Sequence, residues 1–213
     1  MTDVSSAPTL VTAWKAATAA LKAAGIDSPS IDARLLIEVA AGASRADILT
    51  DPYRVVTEAQ QAALDGFVAR RLKREPVSRI LGKKGFWKIM LNVTPDVLSP
   101  RPDTETILDV VMLAYPPQQA FQLVDLGTGS GAILLAILAE RAGATGLGTD
   151  ISFEALAVAR DNAGSLGLDR RCDFLRTEWA AGMADHSFDL VVSNPPYIPS
   201  GDIDGLDPEV RDH

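Results

Sequence analysis

The sequence predicts an α/β protein: a doubly wound parallel sheet preceded by a small helical domain and a β-hairpin linker. Three observations carry this. From residue 121 onward, apolar segments of strand length and of helix length alternate. The first 75 residues show only the helical period. Between them, residues 76–100 lose that period and gain proline, glycine and β-favouring residues. The expected division is therefore a helical domain over 1–75, an extended linker over 76–100 and the sheet-bearing domain over 101–213.

Each element follows from local chemistry. Residues 7–24 place Leu10, Val11, Trp14, Ala17, Thr18 and Leu21 on one helical face, with Pro8 near the start and Gly25 as the stop. SPSIDARLLIEVAAG predicts a second helix, entered at Ser30 and closed by Gly42, and SRADILTD a short third. In TEAQQAALDGFVARRLKR, Thr57 and Gln60 form a capping box ahead of a buried stripe of Leu64, Phe67, Val68 and Leu72. EPVSRILGKKGFWKIMLNVTPDVLSPRP then reads as extended segments, a hairpin linking the two domains. Pro102 and Asp103 open the helix TETILDVVMLAY, which Pro116 and Pro117 end. FQLVDLG, SGAILLAILAERAG, ATGLGTD, FEALAVARDNAGSLG, CDFLR and FDLVVSN follow in alternation, the pattern of right-handed crossovers and a parallel sheet.

Composition narrows the class. With 47% hydrophobic and 23% charged residues the chain is globular and not disordered. One cysteine, Cys172, excludes an intramolecular disulfide framework. Beside only His186 and His213 it gives no ligand set at zinc spacing, so no metal is expected. No apolar run reaches about 18 residues, the minimum for a membrane span. The alanine-rich N-terminus has no arginine before Arg34 and carries Asp3, unlike a transit peptide. A reducing, cytoplasmic setting is expected.

Net charge is −8, unevenly spread. Through Gly85 there are 12 Lys/Arg against 9 Asp/Glu; beyond it, 8 against 19. The acidic second half argues against a duplex-DNA footprint and suits a cationic or neutral small ligand, so no stable nucleic-acid partner is expected. The basic cluster Arg70, Arg71, Lys73, Arg74, Arg79, Lys83 and Lys84 reads as a solvated face, with phosphate contact as the alternative.

Two motifs carry chemistry. DLGTGSGAI sets Asp125 at a strand end and Gly127, Gly129 and Gly131 across the turn into a helix, where a ligand can approach the backbone. Asp150, ending the next strand, has a carboxylate suited to a ribose diol; capping the next helix is its alternative role, which Ser152 can fill instead. This pair does not separate NAD from S-adenosylmethionine. The stretch SNPPYIP does. Pro195 and Pro196 cannot continue a ladder, so the chain leaves the sheet there and frees the Asn194 side-chain oxygen and the Pro195 carbonyl as acceptors for a planar NH2 group. Binding both N–H bonds of an amide leaves its nitrogen facing an electrophile, which serves methyl transfer and not hydride transfer. Tyr197 can wall the substrate plane.

EPVSRILGKKGFW at 75–87, SPRPDTE at 99–105, DLGTGSGAI at 125–133 and VVSNPPYIP at 191–199 together resemble the HemK/PrmC family, protein-(glutamine-N5) methyltransferases that modify the Gly-Gly-Gln loop of class I peptide chain release factors. The resemblance implies a Rossmann-like class I methyltransferase sheet and S-adenosylmethionine contacts at Gly127, Thr128, Gly129, Ser130, Gly131, Asp150 and Trp179. The last of these would lie beside the adenine; a core aromatic is its other reading. It implies a glutamine site at Asn194, Pro195, Pro196 and Tyr197, with Asn194 also beside the cofactor, and Arg101 and Glu105 helping to cover the cofactor. The helical domain would dock the release factor. Members of the family continue for several strands beyond NPPY, so the sequence reads as truncated at its C-terminus, with FDLVVS at a bare edge unless something covers it. Two other readings stay open: an adenine or guanine amino-methyltransferase sharing NPPY, and a cofactor-binding module without activity.

Overall fold

The computed structural model describes residues 7–195. They form two units, one ending at Leu81 and one beginning at Gly82.

The first unit is helical: α1 (Leu10–Ala23), α2 (Pro29–Ala41), α3 (Arg45–Thr50), α4 (Glu58–Leu72) and α5 (Val77–Leu81). Three of these five helices are closed at the N-terminus by side chains. Thr9, Ser44 and Thr57 each form a reciprocal capping box with the residue three positions on. The second helix starts one residue before the expected entry at Ser30, because Pro29 takes the first helical position, where its missing N–H costs nothing. Gly42 closes it in the left-handed conformation at φ 57°. Leu10, Leu21, Leu36, Ile37 and Leu64 are buried at 0–1% exposure, each contributing about 1.5–3 kcal/mol of transfer free energy.

Two expectations change here. The stripe on α4 ends at Arg71, not Leu72: Arg71 is 6% exposed and Leu72 41%. Counting from Leu64, the face runs 64, 67, 68, 71, and a charge is admitted at the last place because Arg71 Nε donates to Asp32 Oδ2 at 2.7 Å. The segment after Glu75 is not extended at first. Pro76 opens the short helix α5, whose Ile80 joins the helical core, so the helical unit runs to Leu81.

The second unit begins with an antiparallel hairpin, β1 (Lys83–Phe86) and β2 (Ile89–Asn92). It is more than a linker: Phe86 and Leu91 are buried in the same cluster as the α/β core. A 3₁₀ turn, Pro102–Thr104, leads into α6 (Glu105–Ala114). Then come β3 (Phe121–Leu126), α7 (Ala132–Glu140), β4 (Ala144–Asp150), α8 (Phe153–Ser165), β5 (Cys172–Arg176) and β6 (Leu190–Ser193). Residues 132–138 of α7 are all buried, since α7 is enclosed by the sheet, α6 and the hairpin. The four parallel strands lie in the order β5-β4-β3-β6, half of the doubly wound arrangement. Among the described residues β6 pairs with β3 alone, and Val191 on it is 59% exposed.

Among the described residues no helix is long and apolar enough to cross a membrane. Cys172 is buried, which pushes its thiol up to about 11 and keeps it protonated.

Candidate active site

Between β3 and β6 the strand order reverses. The chain leaves β3 through α7 toward β4 on one side and enters β6 on the other. At such a switch point the departing turns diverge and open a crevice at the carboxyl ends of the strands. Leu126 pairs with Ser193, so the turn starting at Gly127 and the segment starting at Asn194 leave from adjacent strand ends. Ser193 Oγ donates to the Leu126 carbonyl at 2.8 Å and ties those ends together.

The glycine turn is left-handed at every second residue, with φ of 72°, 55° and 81° at Gly127, Gly129 and Gly131, a sequence of angles that side chains with a Cβ resist. A Cβ at Gly127 or Gly129 would meet nothing within 4 Å, so both positions border open space. Thr128 and Ser130 between them are buried, at 6% and 3% exposure, with side chains turned inward. What these two residues offer a ligand is main chain.

Asp150 is half-buried at the end of β4. Its Oδ2 accepts the Gly129 N–H at 3.0 Å and its Oδ1 the Ser152 N–H at 3.0 Å. Each oxygen keeps acceptor capacity beyond its one bond. Ser152, not Asp150, caps α8, accepting from the Ala155 N–H at 3.0 Å. Trp179 follows β5 in a loop, is 50% exposed and belongs to no buried cluster, so it is not a core aromatic. Its backbone sits at φ 52°, and its carbonyl accepts from Thr149 Oγ1 at 3.3 Å.

Asn194 and Pro195 are exposed just past β6. Asn194 Nδ2 donates to Thr104 Oγ1 at 3.2 Å, and no described residue donates to its Oδ1 or to the Pro195 carbonyl. Pro196 and Tyr197 lie outside the described residues. Arg101 is exposed, and Glu105 Oε1 accepts the Trp87 N–H at 2.8 Å in the hairpin turn.

Behind the turn, Asp125 is 1% exposed. Its Oδ2 accepts from Thr128 Oγ1 at 2.7 Å and from the Leu134 N–H at 3.4 Å, while its Oδ1 is buried with no hydrogen-bond partner. Burial raises its pKa to about 6; the bonds from Thr128 and Leu134 oppose that rise and the nearby Asp150 charge adds to it. Asn162, 1% exposed on α8, donates to the Ser130 carbonyl at 2.9 Å and the Asn92 carbonyl at 3.0 Å and accepts the Asn92 N–H at 2.7 Å. Thr104 and Asn162 were not singled out by sequence. Nothing local marks Asn162, whereas Thr104 stands inside SPRPDTE, a segment already flagged.

The basic cluster is largely spent on the protein itself. Arg70 pairs with Glu75, Arg71 with Asp32, and Arg74 donates to the Ala24 and Gly25 carbonyls at the end of α1. Among the described residues no group of acidic, histidine and cysteine side chains is placed to hold a metal ion.

Comparison with known proteins finds relatives of both units. Residues 12–82 match the PrmC N-terminal domain and residues 100–204 the methyltransferase small domain. The release factor glutamine methyltransferase of Caulobacter vibrioides is 60% identical over 205 residues, covering 96% of this chain and 71% of that protein. Proteins of the same name from Rhodospirillum rubrum and Bradyrhizobium diazoefficiens are 52% and 40% identical, over 93% and 100% of this chain and 59% and 72% of theirs. At 60% identity over 96% of this chain, with family-model matches in both units, the kinship is plain: the chain belongs to the release factor glutamine methyltransferase family.

Proposed function

We propose that the protein transfers a methyl group from S-adenosylmethionine to the side-chain amide nitrogen, N5, of the glutamine in the Gly-Gly-Gln motif of class I peptide chain release factors. The observation that carries this reading is the juxtaposition of the glycine turn with Asn194 at the switch point, through the Leu126–Ser193 pairing.

The residues present fit the cofactor. Open space beside Gly127 and Gly129 admits a ligand against the backbone. The Asp150 carboxylate, fixed by two backbone N–H groups, keeps acceptor capacity for a ribose diol. Trp179, half-exposed near the ends of β4 and β5, supplies an aromatic surface for the adenine. When bound, S-adenosylmethionine supplies an electrophilic methyl on a sulfonium, which becomes a neutral thioether on losing it.

The chain's own task is positioning. An amide nitrogen is a poor nucleophile because its lone pair is delocalised into the carbonyl. Asn194 Oδ1 and the Pro195 carbonyl, as two acceptors, hold both N–H bonds of the glutamine amide and present the nitrogen's face to the methyl. With that methyl donor bound, Asn194 Oδ1 and the Pro195 carbonyl would stabilise the positive charge that develops on the glutamine nitrogen, whose surplus proton would pass to solvent. Fixing two reactants in this way is worth about 7–11 kcal/mol. Pro196 and Tyr197 are assigned to the same glutamine site, with Tyr197 as the ring that would wall the substrate plane.

The helical unit is assigned to docking the release factor. A nucleic-acid substrate fits less well, because Arg70, Arg71 and Arg74 are engaged within the protein. A translation-factor substrate implies a cytoplasmic setting. Incubation with methyl-labelled cofactor and either release factor or DNA and RNA tests the reading: label in release factor alone is expected, and label in nucleic acid alone refutes it.

A further inference from the structure

We propose that Asp125 is a specificity-determining residue of the cofactor site: its carboxylate, buried beneath the glycine turn and touching neither ligand, favours the cationic sulfonium cofactor over the neutral thioether product. The proposal rests on the function proposed above and adds a residue and a role to it.

Register places the carboxyl. Asp125 lies one residue before the end of β3, paired with Gly148 of β4 on one side and Val192 of β6 on the other. A strand rises about 3.3 Å per residue, so Asp125 sits just under the floor of the crevice from which the glycine turn and the Asn194 segment depart. Under the proposed function the methyl-bearing sulfur belongs in that crevice, because its methyl has to meet an amide held by Asn194. The carboxyl is fixed there by the turn and by the start of α7. Its Oδ2 accepts from Thr128 Oγ1 at 2.7 Å and from the Leu134 N–H at 3.4 Å, and its Oδ1 is buried with no hydrogen-bond partner.

A helix N-terminus that follows a glycine turn is ordinarily a site for an anion, such as the pyrophosphate of a dinucleotide. Here the protein's own carboxylate occupies that place. No cation offsets it among the described residues. The charged group that acts on Asp125 is Asp150 at the end of β4, itself negative; the turn over 127–131, the first turn of α7 and β6 carry no charged side chain. With a pKa of about 6, Asp125 is ionised at neutral pH. Its field therefore reaches the crevice uncancelled, and it does so through protein, where charges are screened far less than in water. That field attracts a sulfonium and leaves a thioether unaffected. Methyl transfer removes the positive charge from the sulfur, so the product loses this attraction and gives way to fresh cofactor.

The test measures, by calorimetry on the full chain, the affinities for S-adenosylmethionine and for S-adenosylhomocysteine, in the parent and in Asp125→Asn. The diagnostic quantity is their ratio. At about pH 7.5 the preference for cofactor over product should fall by about threefold to tenfold in Asp125→Asn. In the parent the same preference should decline as pH is lowered through about 6 and the carboxyl takes up its proton, a decline that Asp125→Asn lacks. A merely structural role weakens both ligands alike and leaves the ratio unchanged, and that result overturns the proposal. A second measurement needs no variant. Followed by carbon-13 NMR in the parent, the Asp125 carboxyl should titrate about half to one pH unit lower with cofactor bound than with product bound, because the charge that favours the cation is favoured by it in return; coincident titrations overturn the proposal. Failure of the parental chain to bind either ligand would overturn the proposed function and this role together, whereas binding of both with an unchanged ratio overturns the role of Asp125 alone.

Discussion

Asn162 of α8 donates to the Ser130 carbonyl at 2.9 Å while its other amide proton and its oxygen hold Asn92 at the end of β2. One buried amide thereby joins the glycine turn to the hairpin, so the shape of the candidate cofactor site depends on a residue that faces neither solvent nor ligand. Asn162→Leu removes three hydrogen bonds and leaves buried backbone groups unpaired. A loss of about 2–4 kcal/mol is expected in urea denaturation, with cofactor affinity weakened as the turn loosens.

Asp125 gives a pH signature. Its folded pKa of about 6 lies above the ordinary 3.8, mainly because it is buried, so between those values the folded state binds more protons than the unfolded one. This group's contribution to stability is therefore best below about pH 4, declines as pH rises through about 4 to 6, and is flat above, with a total of about 3 kcal/mol. Asp125→Asn keeps an acceptor for Thr128 and removes the charge. Its stability relative to the parent should rise across that window and exceed it at pH 7.5; a pH-independent difference would show that the carboxyl is not titrating there.

Much of the fold was legible because its signals are local. Alternating strand and helix segments after residue 121, and glycine and proline at the strand ends, specify the sheet, the turn at Gly127 and the exit at Asn194 without knowledge of distant contacts. What escaped depends on partners far along the chain. Arg71 looked like part of a basic solvated run, yet it is buried because Asp32, 39 residues earlier, neutralises it. The hairpin read as a linker because nothing in GFWKIML reveals that Phe86 and Leu91 fill the core against α7. For the same reason the contacts of Thr104 with Asn194, of Asn162 with Ser130 and of Glu105 with Trp87 became visible only with the fold.

Breaking the Arg71–Asp32 pair should cost far more than its exposed neighbours. Arg71→Met leaves Asp32 a largely buried, unpaired carboxylate, and a loss of about 3–5 kcal/mol is expected in denaturant titration. Adding Asp32→Leu should restore part of that loss, whereas Lys73→Ala on the solvent side should stay within about 0.5 kcal/mol of the parent. Equal effects at both positions would contradict the burial of the pair.

The amide clamp itself is tested most directly by Asn194→Ala, with cofactor affinity measured by calorimetry and methylation of purified release factor measured by mass spectrometry of its Gly-Gly-Gln peptide. The account predicts that cofactor binding is largely retained while methylation of the glutamine falls by at least about a hundredfold, the scale for removing a preorganised polar group that acts on developing charge. Parental turnover in Asn194→Ala, or loss of cofactor binding equal to the loss of methylation, would contradict it.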